Sequence, residues 1–231
     1  MAGVVDEVGT GVLSRASAVV YRWMVLAGFL ALLCSPTLAA WVVLGRVEGT
    51  SPSVGVAVLW VVALVPVAPA LSAALYAQRA WQVERDLRPA RALWRGLARN
   101  TGDVLRWWAP ALAAAALLVV DIVAAADVPG GAWLRGAAIA LLAALALWSG
   151  HLLVITAYFS FRARDAARIA ASTAFTQWRA SLAFASLALV AVAVVALASE
   201  AALLLSAWVF ALLLRVVARP VEEHVGERFV A

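Results

Sequence analysis

Lysine is absent from this 231-residue chain, and cysteine and histidine are nearly so. Without lysine the chain has no Walker A phosphate loop and no Schiff-base lysine, so any ATP hydrolysis must come from another protein. The single cysteine, Cys34, excludes an intrachain disulfide, and the two distant histidines, His151 and His224, cannot build a His/Cys metal cluster. No serine lies in a nucleophile-elbow sequence. We therefore expect no metal, no cofactor, no catalytic residues and no enzymatic activity.

Charged residues are also scarce, because only 13% of the chain is charged whereas 66% is hydrophobic. The mean hydropathy is +0.97, which is too apolar for a soluble domain with a polar surface. Residues 1–231 are predicted to form one integral membrane domain in contact with the lipid bilayer. The net charge of +5 does not indicate nucleic-acid binding here, because the basic residues are concentrated in loops beside the bilayer and its anionic headgroups.

Six apolar stretches are each near the ~20 residues that a helix needs to cross a bilayer. They are Tyr21–Leu44, Ser53–Tyr76, Ala109–Ala126, Gly136–Phe161, Ser181–Ser199 and Ala201–Val217. The pattern predicts an all-α, polytopic bundle of six transmembrane helices. Two prolines, Pro66 and Pro69, predict a kink in the second span, and Glu200 is expected to mark a solvated turn between the last two spans.

The distribution of arginine predicts the orientation of this bundle. Six crossings place both termini on one face, and 16 of the 18 arginines lie in the segments of that face, whereas only Arg46 and Arg135 lie opposite. By the positive-inside rule, the N- and C-termini are predicted to be cytoplasmic. Residues 1–20 then form a cytoplasmic leader, residues 78–108 a basic cytoplasmic loop and residues 218–231 a cytoplasmic tail.

The loop 78–108 contains a helical pattern of its own. Pro89 suits a first helical position, and apolar residues then recur at spacings of three, four and seven. The opposite side carries Arg91, Arg95 and Arg99 in an i, i+4 stripe, so an amphipathic cytoplasmic helix is predicted between spans 2 and 3. Two interpretations of the stripe stay open: an interfacial helix with its arginines among lipid phosphates, or a surface that docks a protein partner.

Two polar residues within the spans are further candidate site residues. Asp121 is the one acidic residue well inside a predicted span, so it is a candidate for proton or substrate coordination, or else for a structural pair with Arg135. His151 enters the fourth span beside Ser149, where an interhelical hydrogen bond and a functional role are both conceivable.

One part of the chain resembles a known family. The stretch Val65–Tyr76 ends in Ala-Leu-Tyr, and Arg88–Asn100 contains Trp94-Arg95-Gly96 followed, after three residues, by Asn100. These elements are similar to those of the YesL-like family of bacterial membrane proteins, over Leu64–Pro110 most clearly. The resemblance implies a multi-pass protein of the bacterial plasma membrane, often encoded beside carbohydrate ABC importers and sugar-degrading enzymes. It also adds Asn100 to the candidates for partner or lipid binding.

Two functional hypotheses follow. The first is an accessory or regulatory inner-membrane protein acting alongside carbohydrate uptake, with ABC importer subunits or another membrane protein as its partner and the basic helix as its docking surface. The second is an autonomous small-solute or ion-coupled transporter or channel that uses the intramembrane Asp121.

Overall fold

The computed structural model describes residues 12–47, 53–83, 88–125 and 128–229, and these parts of the chain are helical with no β-strand. The helices are α1 (Val12–Val47), α2 (Val54–Val62), α3 (Val67–Val83), α4 (Pro89–Ala124), α5 (Gly131–Tyr158), α6 (Ala163–Thr176), α7 (Trp178–Leu197) and α8 (Glu200–Phe229). Six segments are long and apolar enough to cross a membrane, namely α1, the α2–α3 pair, α4, α5, α7 and α8. The predicted all-α bundle with six spans is confirmed.

The second span is broken at its middle, as the two prolines predict. Pro66 and Pro69 have no N–H, so the carbonyls four residues before them, Val62 and Val65, lose their helical donors. The chain makes a turn between α2 and α3. Side chains of neighbouring helices then donate to backbone carbonyls around the break: Thr37 Oγ1 to Ala63 O at 2.7 Å, Trp41 Nε1 to Trp60 O at 3.1 Å and Trp108 Nε1 to Leu64 O at 3.2 Å. These bonds pair the three carbonyl oxygens, so the break can lie in apolar surroundings.

Two helices are longer than the predicted segments. The amphipathic helix and the third span form one continuous helix, α4, because nothing between Trp108 and Ala109 interrupts it and Pro110 is accommodated inside it. The C-terminal tail predicted at residues 218–231 is likewise helical through Phe229, as the last part of α8. Its residues Ala218, Val221 and Val225 are fully buried, so this segment belongs to the core.

The core lies toward the end of the bundle where α3 and α5 finish and α4 and α6 begin, which we call the arginine-rich end. One buried cluster joins α3, α4, α5, α6, α7 and α8, and a second joins α1, α3, α4 and α8. At the end of α5 the four consecutive residues Leu152 to Ile155 are all buried, so this helix is surrounded on every side. The opposite half is looser and contains apolar cavities.

Candidate functional site

The predicted stripe of arginines lies on the outer face of the first three turns of α4. Arg91, Arg95 and Arg99 are all exposed. The other side of the same turns is buried, at Pro89, Ala92, Leu93, Gly96 and Asn100. This segment is therefore amphipathic as predicted, and its apolar face packs against protein.

A glycine makes the contact between α4 and α3 unusually close. A Cβ atom at Gly96 would lie 2.8 Å from Tyr76 Cδ1 and 3.2 Å from the Cα atom of Ala73. Any side chain at position 96 would force the two helices apart, because one of these neighbours is backbone. The basic face of α4 is therefore carried by a helix whose position is fixed by close packing.

Asn100 does not belong to the exposed surface. Its side chain is 7% exposed, and its Nδ2 donates to Ser72 Oγ at 3.2 Å and to the carbonyl of Ala157 at 3.4 Å. It thereby links α4 to both α3 and α5. Its Nδ2 atom is therefore used inside the bundle, and the role of Asn100 in partner or lipid binding stays a prediction.

The length of α4 exceeds what one crossing of the hydrocarbon core needs. Its 36 residues extend roughly 54 Å, against roughly 30 Å for the hydrocarbon core. The first turns of α4 pack beside residues of the other spans, since the Trp94 ring lies 5.6 Å from the Phe29 ring of α1 and Gly96 lies against Ala73 of α3. The arginine stripe therefore lies level with the arginine-rich ends of these spans.

A polar network that we did not predict joins three helices at the arginine-rich end. Arg215 of α8 is 8% exposed, and it donates to Glu222, to the hydroxyl of Tyr158 at 2.7 Å and to Gln82 Oε1 at 3.3 Å. Arg79 of α3 pairs with the other oxygen of the Glu222 carboxylate at 3.2 Å. Both guanidinium groups also lie over the ring of Tyr158, at 5.0 and 5.3 Å from its centroid.

This network fastens α3, α5 and the last turns of α8 to one another. Glu222 supplies one negative charge between Arg79 and Arg215, and it pairs with the Arg215 guanidinium, which is almost entirely buried. The sequence contained a signal for it, because Arg215 follows an apolar segment and Glu222 lies seven residues later on the same side of the helix. A buried arginine requires a nearby acid, and Glu222 is two turns away.

Asp121 lies at the periphery of the bundle. It is exposed, one turn before the end of α4, and it borders a groove between α4 and α5. Within the described parts of the chain no ion pair joins it to Arg135 or to another cation. The placement separates Asp121 from His151 and from the polar network, so the structure does not combine these residues into one site.

His151 is completely buried and connects α5 to α7. Its Nε2 is 2.9 Å from Ser181 Oγ, and that hydroxyl donates to the carbonyl of Ala174 at 2.7 Å. Because the serine proton is used in this second bond, His151 Nε2 must be the donor of the first, which places a proton on Nε2. Phe184 packs edge-on against the ring at 4.9 Å. The geometry is that of an interhelical hydrogen bond.

The fold and these contacts define a multi-pass helical membrane protein with an exposed basic helix face at one end. Comparison of the chain with protein-family models, with curated proteins and with solved structures found no match in any of the three.

Proposed function

We propose that this chain is an accessory or regulatory protein of the bacterial plasma membrane that acts alongside carbohydrate uptake. In this proposal the arginine-rich end is cytoplasmic, and the face formed by Arg91, Arg95 and Arg99 binds an acidic surface of a partner, such as an ABC importer subunit. The observation that carries the proposal is an exposed row of three arginines on a helix that is held rigidly by the bundle. The resemblance to the YesL-like family supports the carbohydrate context.

The alternative is an autonomous transporter or channel, and the broken second span is the observation that favours it. Discontinuous helices bind substrates and ions in several transporter folds through their free backbone carbonyls. Here Thr37 and Trp108 already donate to carbonyls at the break, which leaves fewer of them for a ligand. Asp121 lies away from the break, at the exposed end of α4.

The test is a pair of triple variants with equal changes in charge. Replacing Arg91, Arg95 and Arg99 by Gln keeps helix propensity and the buried face, and removes three positive charges from α4. At ~0.2–1 kcal/mol for each exposed ion pair, binding should weaken by about 0.6–3 kcal/mol, or roughly 3- to 150-fold. The measurement is recovery of copurified protein from native membranes in mild detergent. The control replaces the exposed arginines of the α6 region, Arg162, Arg164 and Arg168.

The α6 variant should retain the partner, and both variants should remain monodisperse and membrane-embedded. Equal recovery of the partner with the α4 variant at physiological salt would contradict the docking surface and place the transporter alternative first. Orientation is tested separately with a cysteine at Arg91 in a Cys34→Ala background. This cysteine should be protected from a membrane-impermeant thiol reagent in intact cells, and labelling from outside would reverse the assignment.

A further inference from the structure

Glu200 lines an apolar cavity on one side of the broken span. The cavity has a volume of about 230 Å³ and lies between α1, the α2–α3 break, α7 and α8. Its walls are mostly aliphatic and aromatic, with Leu30, Leu64 and Phe210 among them. The charged group in this lining is the carboxylate of Glu200, and no ion pair to it exists in the described parts of the chain.

Glu200 lies at the turn between α7 and α8, where the sequence predicts a turn. It is half-buried, whereas Leu197 just before it is 88% exposed. The carboxylate therefore lies at the open edge of the cavity.

The start of α8 is held in place beside the cavity. Glu200 is the first residue of α8, and the Ser199 hydroxyl accepts a hydrogen bond from the N–H of Ala202 at 3.1 Å as the helix cap. Such a cap fixes the first turn of a helix, and with it the position of Glu200.

An aromatic ring in the same cavity complements this carboxylate. Trp41 lines the cavity, and its Nε1–H is held by the carbonyl of Trp60, which fixes the ring. Trp41 and Glu200 are both half-buried, so both are accessible from outside the bundle. A tryptophan ring together with a carboxylate is the combination that recognises quaternary ammonium groups.

We propose that this cavity, the Glu200 cavity, binds a soluble amphiphilic cation, namely an ammonium group that carries a short alkyl chain. The ammonium group pairs with Glu200 and contacts the ring of Trp41, and the alkyl chain occupies the space between Leu30, Leu64 and Phe210. The volume is below the ~300–1,000 Å³ of sites for drug-sized ligands, which limits the ligand to a small molecule. This site is distinct from the basic face of α4, so the two proposals can fail independently.

The experiment measures binding of radiolabelled octyltrimethylammonium to the full-length protein in phosphatidylcholine nanodiscs, by equilibrium dialysis with empty discs subtracted. We expect saturable binding of one cation per chain. Glu200→Gln preserves the shape of the side chain and removes its charge, and it should weaken binding at least 10-fold. The matched control is Asp121→Asn, which removes a carboxylate outside the Glu200 cavity and should leave binding unchanged. Octyl sulfate, which has the same chain and the opposite charge, should not compete.

Each of the following results would overturn the proposal. Equal affinity in the wild type and Glu200→Gln would show that the carboxylate is not recognised, and so would competition by octyl sulfate. Absence of saturable binding both in discs and in dodecyl maltoside would eliminate the site. Binding that occurs in dodecyl maltoside but disappears in phosphatidylcholine would assign the cavity to a lipid choline headgroup. If Glu200→Gln is not monodisperse, Ala191→Leu fills the cavity from α7 with the carboxylate intact, and undiminished binding there would equally refute the proposal.

Discussion

Replacement of Gly96 by alanine tests whether the close approach of α4 to α3 fixes the basic face. The added methyl group would lie 2.8 Å from Tyr76 Cδ1, 3.1 Å from Tyr76 Cβ and 3.2 Å from Ala73 Cα. The first distance is shorter than carbon atoms tolerate, and rotation of the tyrosine ring relieves only that contact. The Cβ atom of Tyr76 and the backbone of Ala73 move only if α3 moves, so the two helices must separate.

The expected change combines two opposing effects. Insertion of a methylene into a well-packed interface costs about 1–3 kcal/mol. Alanine also favours the helix over glycine by about 1 kcal/mol. The second effect can be measured alone at Gly102, which lies on the same helix, is exposed and has no heavy atom within 4 Å of its would-be Cβ. Gly96→Ala should therefore be less stable than Gly102→Ala by about 1–3 kcal/mol.

The measurement is the midpoint of unfolding when each variant is titrated with SDS from dodecyl maltoside, followed by tryptophan fluorescence. We expect Gly102→Ala to unfold at or above the wild-type midpoint and Gly96→Ala below it. Equal midpoints for the two variants would show that α3 and α4 are not in close contact at this position. Close packing against α3 would then not fix the position of the arginine face.

Two further predictions concern groups that bond inside the bundle. Asn100→Ala removes the donor shared by α3 and α5, and should lower the free energy of unfolding by about 1–2 kcal/mol while partner recovery stays normal; lost recovery with normal stability would return Asn100 to the binding surface. Glu222→Gln leaves the buried Arg215 without its acid, and it should lower the free energy of unfolding by about 3–5 kcal/mol. The Arg79 side chain is 45% exposed, so Arg79→Gln should change the free energy of unfolding by about 1 kcal/mol or less. Equal losses for these two variants would contradict the assignment of Glu222 to Arg215.

The spans and the break could be predicted because their causes are local in sequence. A run of apolar residues of sufficient length is a membrane helix whatever surrounds it, and Pro66 interrupts helical hydrogen bonding wherever it stands. The amphipathic face of α4 was predictable for the same reason, since spacing alone assigns residues to a side of a helix. The continuity of α4 across Trp108 was not predictable, because the change from polar to apolar surroundings along the sequence does not interrupt the helical backbone.

The roles of single polar residues depended on contacts between distant segments. Asn100 lies seven residues after Leu93 and four before Val104, on the buried side of α4, but its hydrogen-bond partners come from α3 and α5. Glu200 belongs by sequence to a turn, and residues of α1 and α3 complete the cavity beside it. The partners of a polar residue thus depend on the assembled helices, which periodicity along one segment does not determine.

The continuity of α4 connects the two halves of the molecule mechanically. The same helix carries the arginine stripe at its start, contacts α3 through Gly96 and α5 through Asn100, and donates from Trp108 to the break in the second span. A displacement of the basic face would therefore be transmitted to the break along one continuous helix, because no loop lies between them. A partner bound at the arginines would contact the element that borders the broken span, and this is the physical route by which docking at the arginine-rich end would influence the interior of the bundle.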